Sequence, residues 1–169
     1  HEISVEADYN DFGGDSDVDY WFSDGYMSGY NEIQSNNREN TTLNLDYTNP
    51  ITEAIKIELG VEARLQNTDN EYAATTNLID DSKFFYNRDI YSAYATFGHK
   101  INKWSYQAGL RAESYNVDAA FSNENTPEIP YKDELFTLYP SAFVSYSWTE
   151  KSTLQLSYSR RVDRPNLGQ

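Results

Sequence analysis

The chain has 169 residues, with 27 acidic and 13 basic side chains and a net charge of −14. That balance excludes a nucleic-acid face, which needs lysine and arginine against phosphate, and the lack of cysteine excludes a disulfide framework or thiolate chemistry. No run approaches the roughly 18 apolar residues of a transmembrane helix, yet fifteen Tyr, eight Phe and three Trp make up 15% of the chain, too many rings for an acidic disordered polymer.

Period two, the strand signal, runs through the sequence. Glu2 to Tyr9 sets Ile3, Val5, Ala7 and Tyr9 against Glu2, Ser4, Glu6 and Asp8. Asn10 to Asn40 then reads as a long polar connection. Inside it, Asp15, Asp17 and Asp19 have the spacing of a calcium loop. Tyr20 and Tyr26 stand where an EF-hand needs Gly and Glu, so the reading is a solvated acidic segment. Val18 to Phe22 and Tyr26 to Ile33 would form a hairpin of their own or, as we favour, extend the flanking strands beyond a membrane.

The second strand, Thr42 to Thr48, places Leu43, Leu45 and Tyr47 on one face. A short turn, Asn49 to Glu53, leads into Ala54 to Gln66, the clearest strand. One of its faces reads Ile55, Ile57, Leu59, Val61, Ala63, Leu65 and the other Lys56, Glu58, Gly60, Glu62, Arg64, Gln66. A helix would scatter those charges all round. Asn67 to Arg88 reads as a second long connection, followed by a strand from Ile90 to His99 and a short turn from Lys100 to Lys103. Trp104 to Ala112 sets Trp104, Tyr106, Ala108 and Leu110 against Ser105, Gln107, Gly109 and Arg111, with Glu113 following on the charged face. A third long segment, Ser122 to Glu134, precedes the strand Phe136 to Trp148, which presents Val144, Tyr146 and Trp148 on one face. After the short turn Thr149 to Ser152 comes the last strand, Thr153 to Arg161.

Short connections on one end and long ones on the other are the arrangement of an up-and-down transmembrane β-barrel. Segments near the 9–11 residues that cross a bilayer agree. The fold class expected is therefore all-β and antiparallel, with about seven strands. Whole bacterial barrels have even counts of at least about eight, so the chain is expected to be one segment of a larger barrel. Lys56, Glu58, Glu62, Arg64, Gln107, Arg111 and Glu113 are the candidates for a wet lumen, as ion pairs or a solute path. Tyr47, Trp104, Tyr106, Tyr146 and Trp148 lie beside the short turns, where an aromatic girdle belongs. A soluble carbohydrate-binding β-sandwich is the alternative, and it would bury the apolar faces in a core.

Catalytic chemistry finds little support. Glu62 and Glu113 are a candidate carboxylate pair for glycoside hydrolysis, but lumens are rich in such pairs. His1 and His99 are too isolated for a metal site. No catalytic residues, cofactor or metal are expected, and the chain is read as a non-enzyme. Arg160, Arg161 and Arg164 with Pro165 form an unusual basic cluster in so acidic a chain. Pro165 would end the strand, since proline cannot donate to a ladder, and the arginines would pair with carboxylates in neighbouring loops.

At this cluster the sequence resembles a known family. Tyr139-Pro140-Ser141-Ala142 and the run from Ser152 through Leu154-Gln155-Leu156-Ser157-Tyr158-Ser159-Arg160-Arg161 to Arg164-Pro165 are similar to the barrel region of TonB-dependent outer-membrane receptors, the outer membrane protein beta-barrel family. Tyr106-Gln107-Ala108-Gly109-Leu110-Arg111-Ala112-Glu113 and Leu43-Asn44-Leu45-Asp46-Tyr47 carry the same likeness, which covers the chain from about residue 41. The resemblance implies a barrel of about 22 strands plugged by an N-terminal domain, set in outer-membrane lipid. It also implies import of a scarce solute with energy from an inner-membrane complex, and contact with a surface lipoprotein through the full-length protein. The chain itself is expected to lack the plug. A non-transporting scaffold or adhesion barrel is the rival function.

Overall fold

In the computed structural model, which describes residues 1–23, 29–76 and 79–161, seven strands follow one another in chain order. They are β1 (Glu2–Tyr20), β2 (Tyr30–Pro50), β3 (Ile55–Ala74), β4 (Ser82–Ile101), β5 (Trp104–Asn123), β6 (Thr126–Thr149) and β7 (Ser152–Ser159). Each pairs antiparallel with the next, giving one open sheet in the order β1-β2-β3-β4-β5-β6-β7. No helix occurs among the described residues. The described residues form a single layer and not the two packed sheets of a sandwich.

The short turns fall close to where the sequence places them, at 51–54, 102–103 and 150–151. Asn102-Lys103 is one of the two among these three that have only two residues. Asn102 sits at φ 52°, a left-handed conformation that Asn tolerates better than most residues. The three long connections are a correction. Asn10 to Asn40, Asn67 to Arg88 and Ser122 to Glu134 are mostly strand, so β1 and β2 run on as a paired ribbon from Tyr9↔Thr41 to Tyr20↔Tyr30. The extension reading of the first segment holds at Val18 and Ile33, and the Tyr26 part of the alternative hairpin lies outside the described residues. The polar composition of these segments suggested loops, but cross-strand pairing satisfies their backbone. Asp15, Asp17 and Asp19 accordingly lie on a strand. Ser35 Oγ donates to Asp15 at 2.7 Å, and Asn31 Nδ2 donates to Asp17 and, at 3.1 Å, to Asp19.

Register fixes two faces. One carries the even-numbered residues of β1 to β4 and the odd-numbered residues of β5 to β7. All the buried residues among those described lie there: Gly60, Gln66, Thr68, Ile90, Ser92, Glu113, Val117 and Thr137. A single sheet buries a side chain only among neighbours on its own face, so this crowded face is concave. The convex face holds the apolar stripe, and it is open: Val5 is 74% exposed, Val61 50% and Leu156 75%. Among the described residues only Ile90 and Val117 are buried hydrophobics. Water would make such a sheet costly, at about 25 cal/mol for each Å² of apolar surface left wet. Hydrocarbon outside the sheet removes that cost.

The stripe has the height of a bilayer. From Ile55 to Leu65, strand geometry of about 3.3 Å per residue gives roughly 33 Å along β3, or about 25 Å for a strand tilted by about 40°. Within it, cross-strand rows such as Val5-Leu45-Val61-Ala93-Ala112-Leu138 run unbroken over six strands.

Candidate functional site

All seven polar candidates, Lys56, Glu58, Glu62, Arg64, Gln107, Arg111 and Glu113, project from the concave face, and four of them form one cluster. Arg111 Nη2 donates to Glu62 Oε2 at 3.0 Å, and its Nε lies 3.7 Å from Glu113 Oε2. Arg64 pairs with Glu62, and Lys56 with Glu58. Arg111 and Glu62 belong to β5 and β3, so this contact spans β4. Glu113 is 7% exposed, and a buried carboxylate needs a cation or donors nearby. Glu62 and Glu113 share one guanidinium.

A second contact spans a strand beside the first. Tyr94 on β4 donates from its hydroxyl to Asp46 Oδ1 on β2 at 2.7 Å. Between them lies Gly60, paired with both. A Cβ at position 60 would collide with the edge of the Tyr94 ring and with the Asp46 carboxylate. Glycine is thus what lets the ring lie across β3.

Above the charged cluster the concave face becomes aromatic. Phe12-Arg38-Thr68-Tyr86-Ala119-Tyr131 and Gly14-Asn36-Asn70-Phe84-Phe121-Ile129 are successive concave rows. Phe84 and Tyr86 stack with centroids 6.3 Å apart. At the far end, Tyr20, Tyr30 and Tyr72 surround Glu32. Tyr30 is two residues before it on β2, and Tyr20 and Tyr72 sit diagonally on β1 and β3. The three phenols stand close enough to Glu32 for its carboxylate to hold each of them above its ordinary value. Loss of solvent around the Tyr72 ring, then donation to Glu32, pushes its phenol up to about 12. The same causes raise Tyr30, and in Tyr20 the charge of Glu32 leads. The hydroxyls therefore stay protonated donors.

The convex face changes in the opposite sense at the same height. Directly above the apolar stripe runs the row Asp11-Glu39-Asn67-Asn87-Asp118-Lys132. The sequence reading missed the aromatic surface because it treated these segments as loops, where parity has no meaning. Continuing the strand parity past Tyr9, Gln66 and Arg88 would have placed Phe12, Tyr72 and Tyr86 on the charged face.

The five aromatic candidates all lie on the convex face, each within four residues of a short turn. Trp104 and Tyr146 meet with centroids 4.6 Å apart, and Tyr146 meets Trp148 edge-on at 6.3 Å. Tyr106 Oη lies 2.9 Å from His99 Nδ1, and Tyr47 lies near His1. Of the terminal cluster, Arg164 and Pro165 fall outside the described residues, and Arg161 is exposed. Arg160 is a correction: among the described residues it meets backbone carbonyls and no loop carboxylate. Its backbone N–H donates to Pro140 O at 3.2 Å and its guanidinium to Leu138 O at 3.3 Å. The backbone bond continues the β6–β7 register one residue past Ser141↔Ser159, and the guanidinium takes a further β6 carbonyl. No group of three His, Cys, Asp or Glu among the described residues could hold a metal ion.

Comparison with solved structures gives the same architecture. The copper transporter OprC matches with a TM-score of 0.58 at 10% identity, over 87% of this chain and 27% of its own. The ferric yersiniabactin uptake receptor FyuA from Yersinia pestis matches at 0.51 with 12% identity, over 72% of this chain and 20% of its own. The alcaligin outer-membrane receptor FauA from Bordetella pertussis matches at 0.50 with 10% identity, over 92% of this chain and 29% of its own. At such identities the likeness is one of fold, and the chain spans between a fifth and a third of the length of these proteins. No curated protein matches the sequence. The family model described as "Outer membrane protein beta-barrel family" matches residues 1–169, so the chain belongs to that family, and its apolar convex band is the lipid-facing wall of an outer-membrane barrel.

Proposed function

We propose that this chain is a wall-and-vestibule segment of a TonB-dependent receptor-like importer, within a closed barrel of about 22 strands. One observation carries the reading: the two faces exchange polarity at a common height. Below that height the convex side is apolar and the concave side charged; above it the convex side is polar and the concave side aromatic. A pore wall needs only the first half. An aromatic interior above the bilayer adds a surface on which a solute can rest before passage. The extension then stands on the cell-surface side, with the short turns in the periplasm and Tyr47, Trp104, Tyr106, Tyr146 and Trp148 at the inner lipid interface. The cluster around Arg111 lines the lumen. An inner-membrane energy-coupling complex and a surface lipoprotein would engage the full-length protein, which acts as a conduit and not as an enzyme.

The reading is tested in cells. Wild-type and deletion strains are grown in complex medium, and depletion of each solute is followed by mass spectrometry with and without a proton-gradient uncoupler. The expected result is a solute whose depletion needs both the chain and the gradient. Finding no such solute, with the barrel correctly assembled, would leave a scaffold or adhesion barrel as the better account.

A further inference from the structure

We infer that Glu32 with Tyr20, Tyr30 and Tyr72 forms a receptor for a cationic ammonium group on the solute. The inference deepens the importer reading and rests on its assignment of the concave face to the solute path.

Register places the four residues together. On the concave face, Tyr30 precedes Glu32 by one alternation, and Tyr20 and Tyr72 occupy the diagonal positions on the flanking strands. Side chains in diagonal positions are within reach of one another across a sheet. The Tyr20 and Tyr30 rings stack at 4.8 Å and 19°, and Phe22 adds a further ring at 6.0 Å from Tyr30. Ring faces attract cations. The carboxylate supplies the charge that makes the attraction selective. A carboxylate offers about four acceptor sites, so Glu32 can accept from an ammonium group while the rings flank it.

No cation among the described residues already fills that role. Among the described residues Glu32 makes no ion pair. Arg38 shares its strand and face but lies six residues away, roughly 20 Å along an extended strand, which is beyond the screening length of about 8–10 Å in physiological salt. Lys83 is on the opposite face and is held by Glu71 at 2.7 Å. The chain's net charge of −14 draws cations toward the vestibule and repels anions.

The test uses the full-length protein in lipid nanodiscs and ligand-observed NMR titration. The probes are choline and its uncharged isostere 3,3-dimethylbutan-1-ol. Choline should bind about tenfold tighter than the isostere, the size of effect that a partly desolvated cation–π contact can give. Glu32→Gln should cut that difference down to the share the ring faces supply and leave isostere binding unchanged. Tyr72→Phe keeps the ring and should retain choline, whereas Tyr72→Ala should lose it. Should Glu32→Gln fail to assemble, the Tyr72 pair decides. Equal binding of the two probes by the wild type, or no difference between Tyr72→Phe and Tyr72→Ala, would overturn the proposal. Binding in nanodiscs needs no energy source, so a barrel that imports nothing but discriminates choline keeps this inference and loses only the importer reading.

Discussion

The wall within the membrane and the ribbon above it are built from the same strands, yet their side chains obey opposite rules. In the wall, Val61 and Leu45 face outward and Glu62 inward; in the ribbon, Asp69 and Asn37 face outward and Asn70, Phe84 and Phe121 inward. No bulge separates the two regions in β1 to β5, and registers run unbroken from Glu2↔Thr48 to Tyr20↔Tyr30. The exchange of polarity is therefore written in the side chains alone. The convex face follows the medium it meets, hydrocarbon along the apolar band and water beyond it. The boundary can be read where apolar Leu65 pairs with Asp89 on the convex face.

The largest effect should come from moving a charge across that boundary. Val61→Arg places a guanidinium at mid-band on the lipid face, at a cost of about 2–4 kcal/mol. The folded fraction in the outer membrane, read from heat-modifiable electrophoretic mobility, should fall sharply. Asp69→Arg makes the same side chain on the same face of the same strand, above the boundary. It should change stability by no more than about 0.5 kcal/mol. Equal tolerance of the two would mean that the convex band does not face lipid.

Next in size is the loss of the cation shared across β4. Arg111→Met leaves Glu62 and the 7%-exposed Glu113 without their common guanidinium. Breaking a fully buried pair costs about 3–5 kcal/mol; the Arg111 side chain is 31% exposed, so about 1–3 kcal/mol is expected in urea unfolding from lipid vesicles. Adding Glu62→Gln and Glu113→Gln should return part of it. Arg111→Lys should not fully rescue, because one ammonium cannot serve both carboxylates with the geometry of a planar fork.

How far these features were legible differs between the two regions. In the wall, period two needed no structural help: Ile55 to Leu65 has one apolar and one charged face, and an extended strand keeps them apart. The seven strands, the short turns and the concave placement of Glu62, Arg111 and Glu113 were all readable. The ribbon was not, because Asn, Asp and Gly around Phe12 and Asn36 carry turn signals. Those signals lose to ladder pairing when both strands continue together. Which charges would meet was also hidden. The Glu62–Arg111 and Asp46–Tyr94 contacts skip a strand, and sequence spacing says nothing about that. Gly60 could be recognised as an interruption of a strand, but its partner ring lies 34 residues further on.

Gly60→Ala tests that interruption. The added methyl must displace Tyr94 from Asp46. Overpacking of this kind costs about 1–2 kcal/mol. Tyr94→Ala in the same chain should relieve the clash, so the double variant should lose less than the sum of the two single changes. A strictly additive pair would show that Gly60 matters for backbone freedom and not for the ring.

The smallest effect sharpens the comparison at its upper end, where the concave face is aromatic. The Tyr72 phenol is raised from its ordinary value near 10 to about 12, first by loss of solvent and then by its donation to Glu32. A raised phenol means that the folded state favours the neutral, donating form. The stabilisation is therefore fully present below about pH 10 and is lost as pH rises through 12. Tyr72→Phe removes the hydroxyl and with it this dependence. The difference in unfolding midpoint between wild type and Tyr72→Phe should stay flat up to pH 10 and shrink between 10 and 12. In parallel, the wild-type minus variant absorbance at 295 nm should show one phenol ionising near pH 12. A midpoint near 10 would mean that Tyr72 stands free in water, and that the aromatic lining of the ribbon is a loose coat rather than an ordered surface around Glu32.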